Sequence, residues 1–215
     1  MDSQTLALRL MYLIPMVLSL SVHEWAHAWS AYRLGDDTAA RQGRLTLNPL
    51  VHIDVFGTLL LPLLGVPFGW AKPVPGNPAR FRRGVTMSTG MAITAAAGPL
   101  SNLVLALVCA VGLGVMLRIH PETVMGSDPA WELLSYGLML NVSLAVFNLL
   151  PVPPLDGSRI LERFVPTRMR DTWDTFNRIG PLALLVVMVF GTRFLSGPIV
   201  WVTHGFEQVI RTIAS

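Results

Sequence analysis

Long apolar runs, broken by short polar and basic joints, dominate the chain. The runs cover residues 5–32, 53–68, 86–117, 131–150 and 179–202. Four of them reach about 20 residues or more, which is the length that an α-helix needs to cross a hydrocarbon core roughly 30 Å thick. The second run is shorter and holds two prolines and two glycines, so we expect it to enter and leave on one face of the membrane. The pattern predicts an all-α polytopic membrane protein with about four transmembrane helices and one re-entrant segment.

Basic residues are concentrated in three of the joints between the apolar runs. Short loops that carry lysine and arginine stay on the cytoplasmic side of a membrane. The fourth joint, 118–132, has one arginine against three acidic residues and is assigned to the outside. The N-terminus therefore lies outside, and the runs 5–32 and 131–150 both end on the cytoplasmic side. The basic joints are residues 33–48, 70–84 and 156–178.

Two stretches beside the short apolar run predict a small β-hairpin at the membrane interface. Residues 43–49, GRLTLNP, alternate apolar and polar side chains as a strand does. Residues 69–78, GWAKPVPGNP, are too rich in proline and glycine for a helix. A re-entrant backbone between them requires protein or a water-filled cavity around it. We therefore expect a cavity that admits water on the cytoplasmic side.

Composition supports a membrane protein and argues against a nucleic-acid partner. Only 13% of the 215 residues are charged, against roughly 25% in soluble domains, and the mean hydropathy is +0.54. The net charge of +3 comes from basic residues in the joints, where membrane topology accounts for them. The length suits one domain, residues 1–215, in contact with the lipid bilayer. The single cysteine, Cys109, excludes an intramolecular disulfide, and the pattern predicts no oligomeric state.

Residues 19–32, SLSVHEWAHAWSAY, place two histidines and a glutamate inside the first membrane helix. Positions i and i+4 of a helix share a face, so His23 and His27 offer two imidazole nitrogens to one metal ion while Glu24 reaches a bound water. Alone, this H-E-x-x-H string is a weak signal. Ionisable groups in a membrane helix, however, each cost about 3 kcal/mol or more and persist where they pair, face a cavity or act chemically. The alternative is a set of interhelical hydrogen bonds that holds the bundle together.

A catalytic zinc site uses three protein ligands and leaves a fourth position for water. Asp156 is the candidate third ligand, because prolines end the inward helix just before it, at the cytoplasmic depth where the first helix also ends. The alternative for Asp156 is an N-cap of the helix that starts near Ser158. The other histidines are weaker candidates, because two lie on the outer side and one lies in a loop. They are His120, His204 and His52, in that order.

Three ordered motifs resemble the signature of the site-2 protease family, the zinc intramembrane metalloproteases. They are HEWAHAW, AAAGPLSN and FNLLPVPPLDG. The resemblance covers residues 15–160 and is to a compact form without PDZ or CBS domains. It implies a catalytic core at about 5–160, followed by a C-terminal membrane helix and tail at 179–215.

The resemblance also implies the roles of individual residues. One zinc ion per chain would be bound by His23, His27 and Asp156, with Glu24 as general base. Asn102 would lie near the site and hold the substrate or the oxyanion. The alternative for Asn102 is a structural contact that ties the Gly-Pro break in its helix to a neighbouring helix.

The activity implied by the family is zinc-dependent hydrolysis of a peptide bond in or near the transmembrane segment of a single-span membrane protein. A regulatory protein such as an anti-sigma factor is the substrate class that the resemblance favours. The alternative is a catalytically silent homologue that binds a membrane partner, or a metal carrier. The presence of Glu24 argues against a silent homologue, and a carrier would need several metal sites along a path.

Overall fold

The structure is a computed structural model that describes residues 3–64, 69–121, 128–190 and 192–215. Within these ranges the regular elements are helices, and no strand is present. Short 3₁₀ turns lie at Pro49–Val51, Pro78–Arg80 and Thr167–Met169, and a π-helical turn covers Val55–Leu60. The α-helices are α1 (Ser3–Arg33), α2 (Thr38–Arg41), α3 (Leu61–Leu63), α4 (Met87–Ile119), α5 (Pro129–Asn148), α6 (Asp156–Glu162), α7 (Arg170–Phe190) and α8 (Thr192–Ala214).

Helix α4 lies at the centre and packs against α1, α5, α6 and α8. Its buried face carries the small residues Ala106 and Ala110, which are fully buried together with Val142 of α5. Leu113 and Leu138 complete this core cluster. Small residues let membrane helices approach closely, and van der Waals packing then holds them together. The central position of α4 brings it alongside every element that carries a candidate site residue.

The outward faces of the long helices are apolar. On α4, the side chains of Leu100, Val104 and Val108 are each more than half exposed, and Leu10 and Ile14 on α1 are at least half exposed as well. Exposed apolar surface on this scale is unfavourable in water and suits lipid. The fold is therefore that of an all-α membrane protein, as predicted.

Two helices in the described part of the chain, α4 and α5, are long and apolar enough to cross a membrane. A third span is obtained if the stretches Thr167–Met188 and Arg193–Ala214, which meet at 76°, count as one. The described residues therefore support two or three spans and not the expected four. The first helix is not among the candidates, and it is the helix that carries the polar cluster of His23, Glu24 and His27.

The predicted bounds of three long runs agree with α1, α4 and α5 to within a few residues. The C-terminal run 179–202 does not, because the structure divides it between α7 and α8. Helix α8 passes through Pro198 and continues to Ala214, so the expected tail is largely helical. A proline removes one backbone hydrogen bond, and this helix continues without it.

The predicted β-hairpin is wrong for the residues that the structure describes. The Lys72 N–H of the second stretch donates to the carbonyl of His52, which lies beyond the end of the first stretch. The stretch 69–78 contains Pro73, Pro75 and Pro78, which have no N–H to donate to a strand ladder. The alternation in the first stretch therefore finds no partner strand.

The expected re-entrant segment 53–68 begins as a helix. Asp54 caps it by accepting from the N–H groups of Phe56 and Gly57, and the helix ends at Leu63. Residues 65–68 lie outside the described residues. The structure therefore supports a short helix here and gives no support for a re-entrant path.

Candidate metal centre

Two histidines lie one turn apart on α1 and face α4. His23 is buried and His27 is partly buried. Their Nε2 atoms are 3.0 Å apart, and their rings meet edge to face with centroids separated by 4.6 Å. The i, i+4 spacing thus brings two imidazole nitrogens to one point, as the sequence predicts.

Asp156, the first residue of α6, reaches the same point. Its Oδ2 lies 3.3 Å from His23 Nε2 and 3.4 Å from His27 Nε2. Leu155 holds the N-cap position of α6 and makes no side-chain capping bond. The Asp156 Oδ2 atom is buried and has no hydrogen-bond partner in the described part of the chain. An oriented, buried oxygen of this kind is what a metal ligand provides.

The spacing of the three atoms fits zinc. Zinc binds imidazole nitrogen and carboxylate oxygen at about 2.0–2.2 Å in a tetrahedron, which separates neighbouring ligand atoms by roughly 3.3 Å. The observed separations of 3.0, 3.3 and 3.4 Å lie close to that value. The three residues His23, His27 and Asp156 could therefore hold one metal ion.

The ionisation state of Asp156 suits this role. Burial acts to raise the pKa of its carboxyl, but the two imidazoles beside it lower the pKa by more. The net effect holds the pKa well below its usual range. The group is therefore a carboxylate, the form that binds a metal.

The other ring nitrogen of each histidine also has a partner. His27 Nδ1 lies 2.7 Å from the carbonyl oxygen of Thr94, which only accepts, so this nitrogen carries the proton. His23 Nδ1 lies 2.6 Å from Asn102 Oδ1. Such outer partners fix the orientation of a ligating imidazole and leave Nε2 free for the metal. Both contacts come from α4.

Gly98 lets α4 approach both rings. A Cβ atom at this position would lie 2.5 Å from His27 Cε1 and 2.6 Å from His23 Cε1. Real Cβ atoms essentially never come so near another heavy atom. The glycine of the AAAGPLSN motif is therefore required for the close approach that brings Thr94 and Asn102 to the histidines.

Glu24 lies beside this cluster and is not one of its three members. Its Oε2 accepts a hydrogen bond of 2.8 Å from the Val74 N–H. The stretch 70–77 is held in place by further bonds, including one of 2.7 Å from Arg44 Nη2 to the Lys72 carbonyl. The stretch 70–77 thus lies against the helix turn that carries the cluster.

Other candidates from the sequence lie elsewhere. His52 is buried away from the cluster, with Nε2 2.9 Å from the Thr46 carbonyl. No metal-binding group in the described part of the chain includes His52, His120 or His204. Sequence reasoning did not identify Asn141 or the Thr94 carbonyl. Asn141 could have been found as a polar residue inside an apolar run. A backbone carbonyl such as that of Thr94 leaves no signal in the sequence.

Known proteins with similar sequences are zinc metalloproteases by name. One from Bacillus subtilis, "Putative zinc metalloprotease YwhC", is 42% identical over 177 residues, which cover 82% of this chain and 78% of the relative. "Putative zinc metalloprotease Rip2" of Mycolicibacterium smegmatis is 31% identical over 177 residues, which cover 80% of this chain and 64% of the relative. An archaeal relative, "Putative zinc metalloprotease MJ0611" of Methanocaldococcus jannaschii, is 35% identical over 106 residues, 49% of this chain and 51% of the relative.

Residues 112–191 match the sequence pattern of Peptidase family M50. This region holds α5, α6 and Asp156, and it does not include the two histidines of α1. No solved structure matches the chain.

Proposed function

Because this chain belongs to peptidase family M50, the site-2 protease family of zinc metalloproteases, we propose that it hydrolyses a peptide bond in or near the transmembrane segment of a single-span membrane protein. The observation that carries the proposal is the convergence of His23 Nε2, His27 Nε2 and Asp156 Oδ2 within 4.8 Å of one another. The cluster lies where α1, α4 and α6 come together, beside a glutamate that is not part of it.

His23, His27 and Asp156 would hold zinc, and a three-ligand set leaves a fourth position for water or substrate. Bound zinc supplies a Lewis acid that lowers the pKa of a water molecule toward roughly 7 and polarises the scissile carbonyl. The two histidines fix the site of attack, because the outer contacts of their Nδ1 atoms hold both Nε2 atoms in place.

Glu24 is the general base of the proposed reaction. It follows His23 directly on α1, so its carboxylate reaches the water side of the cluster without being a ligand. Glu24 takes a proton from the attacking water and returns it to the leaving amine. The hydrogen bond from the Val74 N–H holds the carboxylate in position while the proton moves.

Asn102 acts on His23 in this proposal and does not contact the substrate or the oxyanion. Its Oδ1 faces His23 Nδ1, its Nδ2 faces Asn141 Oδ1, and the residue is 0% exposed. Both ends of this buried amide face other side chains. Asn102 is therefore a positioning residue.

The site lies at cytoplasmic depth, with the N-terminus outside. At 1.5 Å per residue, His23 and His27 lie about 15 Å and 9 Å along α1 from Arg33, near its C-terminal end. If Arg33 marks the interface, His27 falls in the cytoplasmic half of a core roughly 30 Å thick and His23 lies at about its midplane. The basic joint that follows supports this orientation. We propose that α1, α4, α5 and the α7–α8 pair are the four spans.

The substrate must unwind before it is cleaved, because a transmembrane helix holds its amides in i to i−4 hydrogen bonds. Substrates with helix-breaking residues near their cytoplasmic side are favoured for this reason. A membrane-tethered regulatory protein such as an anti-sigma factor is the proposed class.

Replacing Glu24 tests the proposal. Glu24→Gln keeps the shape of the side chain but cannot accept a proton, so cleavage of a co-expressed, tagged single-span substrate should fall by about 10²–10⁴-fold. Zinc per chain should stay near one, because Glu24 is not in the ligand cluster. Cleavage is read on a gel, and zinc is measured on the purified proteins.

The matched control is Glu207→Gln on α8, which should cleave as wild type does. Wild-type cleavage by Glu24→Gln would contradict the role of the base. Wild-type protein that binds no zinc would contradict the proposed site as a whole.

A further inference from the structure

A chain of buried polar side chains leads from the backbone of α5 to the His23 ring. Asn102 and Asn141 are 0% and 2% exposed, and Ser19 is 2% exposed. Asn102 Nδ2 lies 2.9 Å from Asn141 Oδ1. Asn141 Nδ2 in turn lies 2.9 Å from Ser19 Oγ and 2.8 Å from the Gly137 carbonyl oxygen. The chain of bonds joins α1, α4 and α5 at the depth of the metal cluster.

The direction of these hydrogen bonds is fixed from the α5 end. The Gly137 carbonyl oxygen only accepts, so the side of the Asn141 amide that faces it must be the NH₂ group. Asn141 then presents its oxygen to Asn102, so Asn102 must donate to it from its own NH₂ group. The oxygen of Asn102 consequently faces His23, whose Nδ1 must carry the proton.

The protonation of His23 at Nδ1 determines whether this residue can bind the metal. An imidazole protonated at Nδ1 has its lone pair at Nε2, which is the atom that points at His27 and Asp156. An Asn102 amide turned by 180° would present NH₂ to Nδ1 and favour the tautomer that carries the proton at Nε2. That tautomer offers no lone pair at Nε2 for zinc.

We propose that Asn141 is a positioning residue of the metal site, which sets the orientation of the Asn102 amide and thereby the tautomer of His23. The inference rests on the proposed zinc site. It assigns to Asn141, 15 residues from the nearest proposed ligand in sequence, a function in metal affinity. Its contact with Ser19 also ties this function to α1, the helix that carries His23.

The direct test is the zinc affinity of Asn141→Leu, measured by competition with a chelator on purified protein in detergent. The substitution keeps the size of the side chain and frees the Asn102 amide to turn over. Loss of an outer-shell partner typically lowers metal affinity by about 10–100-fold, and we expect a loss in that range. Far-UV circular dichroism reports whether the variant is folded.

A second substitution separates positioning from packing. In Asn102→Asp, both terminal atoms are oxygens, so the side chain accepts from His23 Nδ1 in either orientation and needs no partner to orient it. The variants Asn102→Asp and Asn102→Asp/Asn141→Leu should therefore bind zinc equally well, and both should bind it more tightly than Asn141→Leu. If Asn141 only packs helices together, the double variant is at least as weak as Asn141→Leu.

Ser21→Ala is the matched control, because Ser21 lies on α1, is 2% exposed and bonds only to the Val17 carbonyl. It should bind zinc as wild type does. Asn141→Ser gives the same test if Asn141→Leu does not fold, since the shorter side chain can bond back to Gly137 but does not reach Asn102. Wild-type zinc affinity in Asn141→Leu or Asn141→Ser, with zinc bound normally by wild type, would overturn the role of Asn141. Absence of zinc from wild type would instead overturn the proposed site.

Discussion

The proposed ligand cluster combines two kinds of residue that differ in how they are held. His23 and His27 belong to one helix face, so their spacing follows from helix geometry alone. Asp156 comes from a separate element and reaches them only because α6 packs against α4. Its buried Oδ2 has no hydrogen-bond partner in the described part of the chain and is stabilised by the imidazoles alone. Of the three ligands, Asp156 therefore depends most on the metal.

Removal of this ligand is expected to weaken zinc binding strongly. Loss of an outer-shell partner alone lowers affinity by about 10–100-fold, so Asp156→Ala, which removes a ligand, should lower it by more than about 100-fold. The measurement is chelator competition on purified protein. Asp171→Ala, an exposed aspartate at the start of α7, is the control and should bind zinc normally. Undiminished affinity in Asp156→Ala would mean that another residue is the third ligand.

At the residue scale, much of the site follows from local patterns. The histidine pair is a consequence of helix periodicity, and prolines before Asp156 end a helix whatever surrounds them. The contacts of Thr94, Asn102 and Asn141 join positions that are distant in the chain. Such contacts depend on how the helices pack, and local spacing does not contain that information.

Among the elements, the approach of α1 to α4 controls the geometry of the site. Gly98 lies directly against this contact, and its missing side chain leaves room for both imidazoles. The same approach brings the Thr94 carbonyl and the Asn102 amide to the histidines. A side chain at position 98 would therefore displace the imidazoles and disturb all of these contacts together.

Gly98→Ala is therefore expected to lower zinc affinity at least about tenfold and to destabilise the protein by about 1–3 kcal/mol, because overpacking forces side chains from their positions. Chelator competition and thermal unfolding in detergent measure the two effects. Gly205→Ala on α8 is the control, since a Cβ there meets nothing within 4 Å and alanine favours a helix. Equal behaviour of the two variants would contradict the role of Gly98.

The long helices were predictable because their apolar runs exceed any strand in length, and α1, α4 and α5 agree with them. The prediction of a β-hairpin was wrong, because a strand needs a partner that can donate hydrogen bonds. The facing stretch lacks N–H donors at its prolines. That facing stretch instead donates the Val74 N–H to Glu24. The stretch thus contacts a candidate site residue and does not pair with a strand in the described part of the chain.

For the whole molecule, we propose that the protein uses a zinc site at cytoplasmic depth to cleave another membrane-spanning chain. The measurement that tests it most directly is the cleavage position, read by mass spectrometry of fragment termini from membranes that contain the protein and a single-span substrate. The claim predicts a scissile bond in the cytoplasmic half of the substrate's transmembrane segment or close to that end, absent with Glu24→Gln. A bond cut in the outer half or in a distant water-exposed region, or the same fragments with Glu24→Gln, would contradict it.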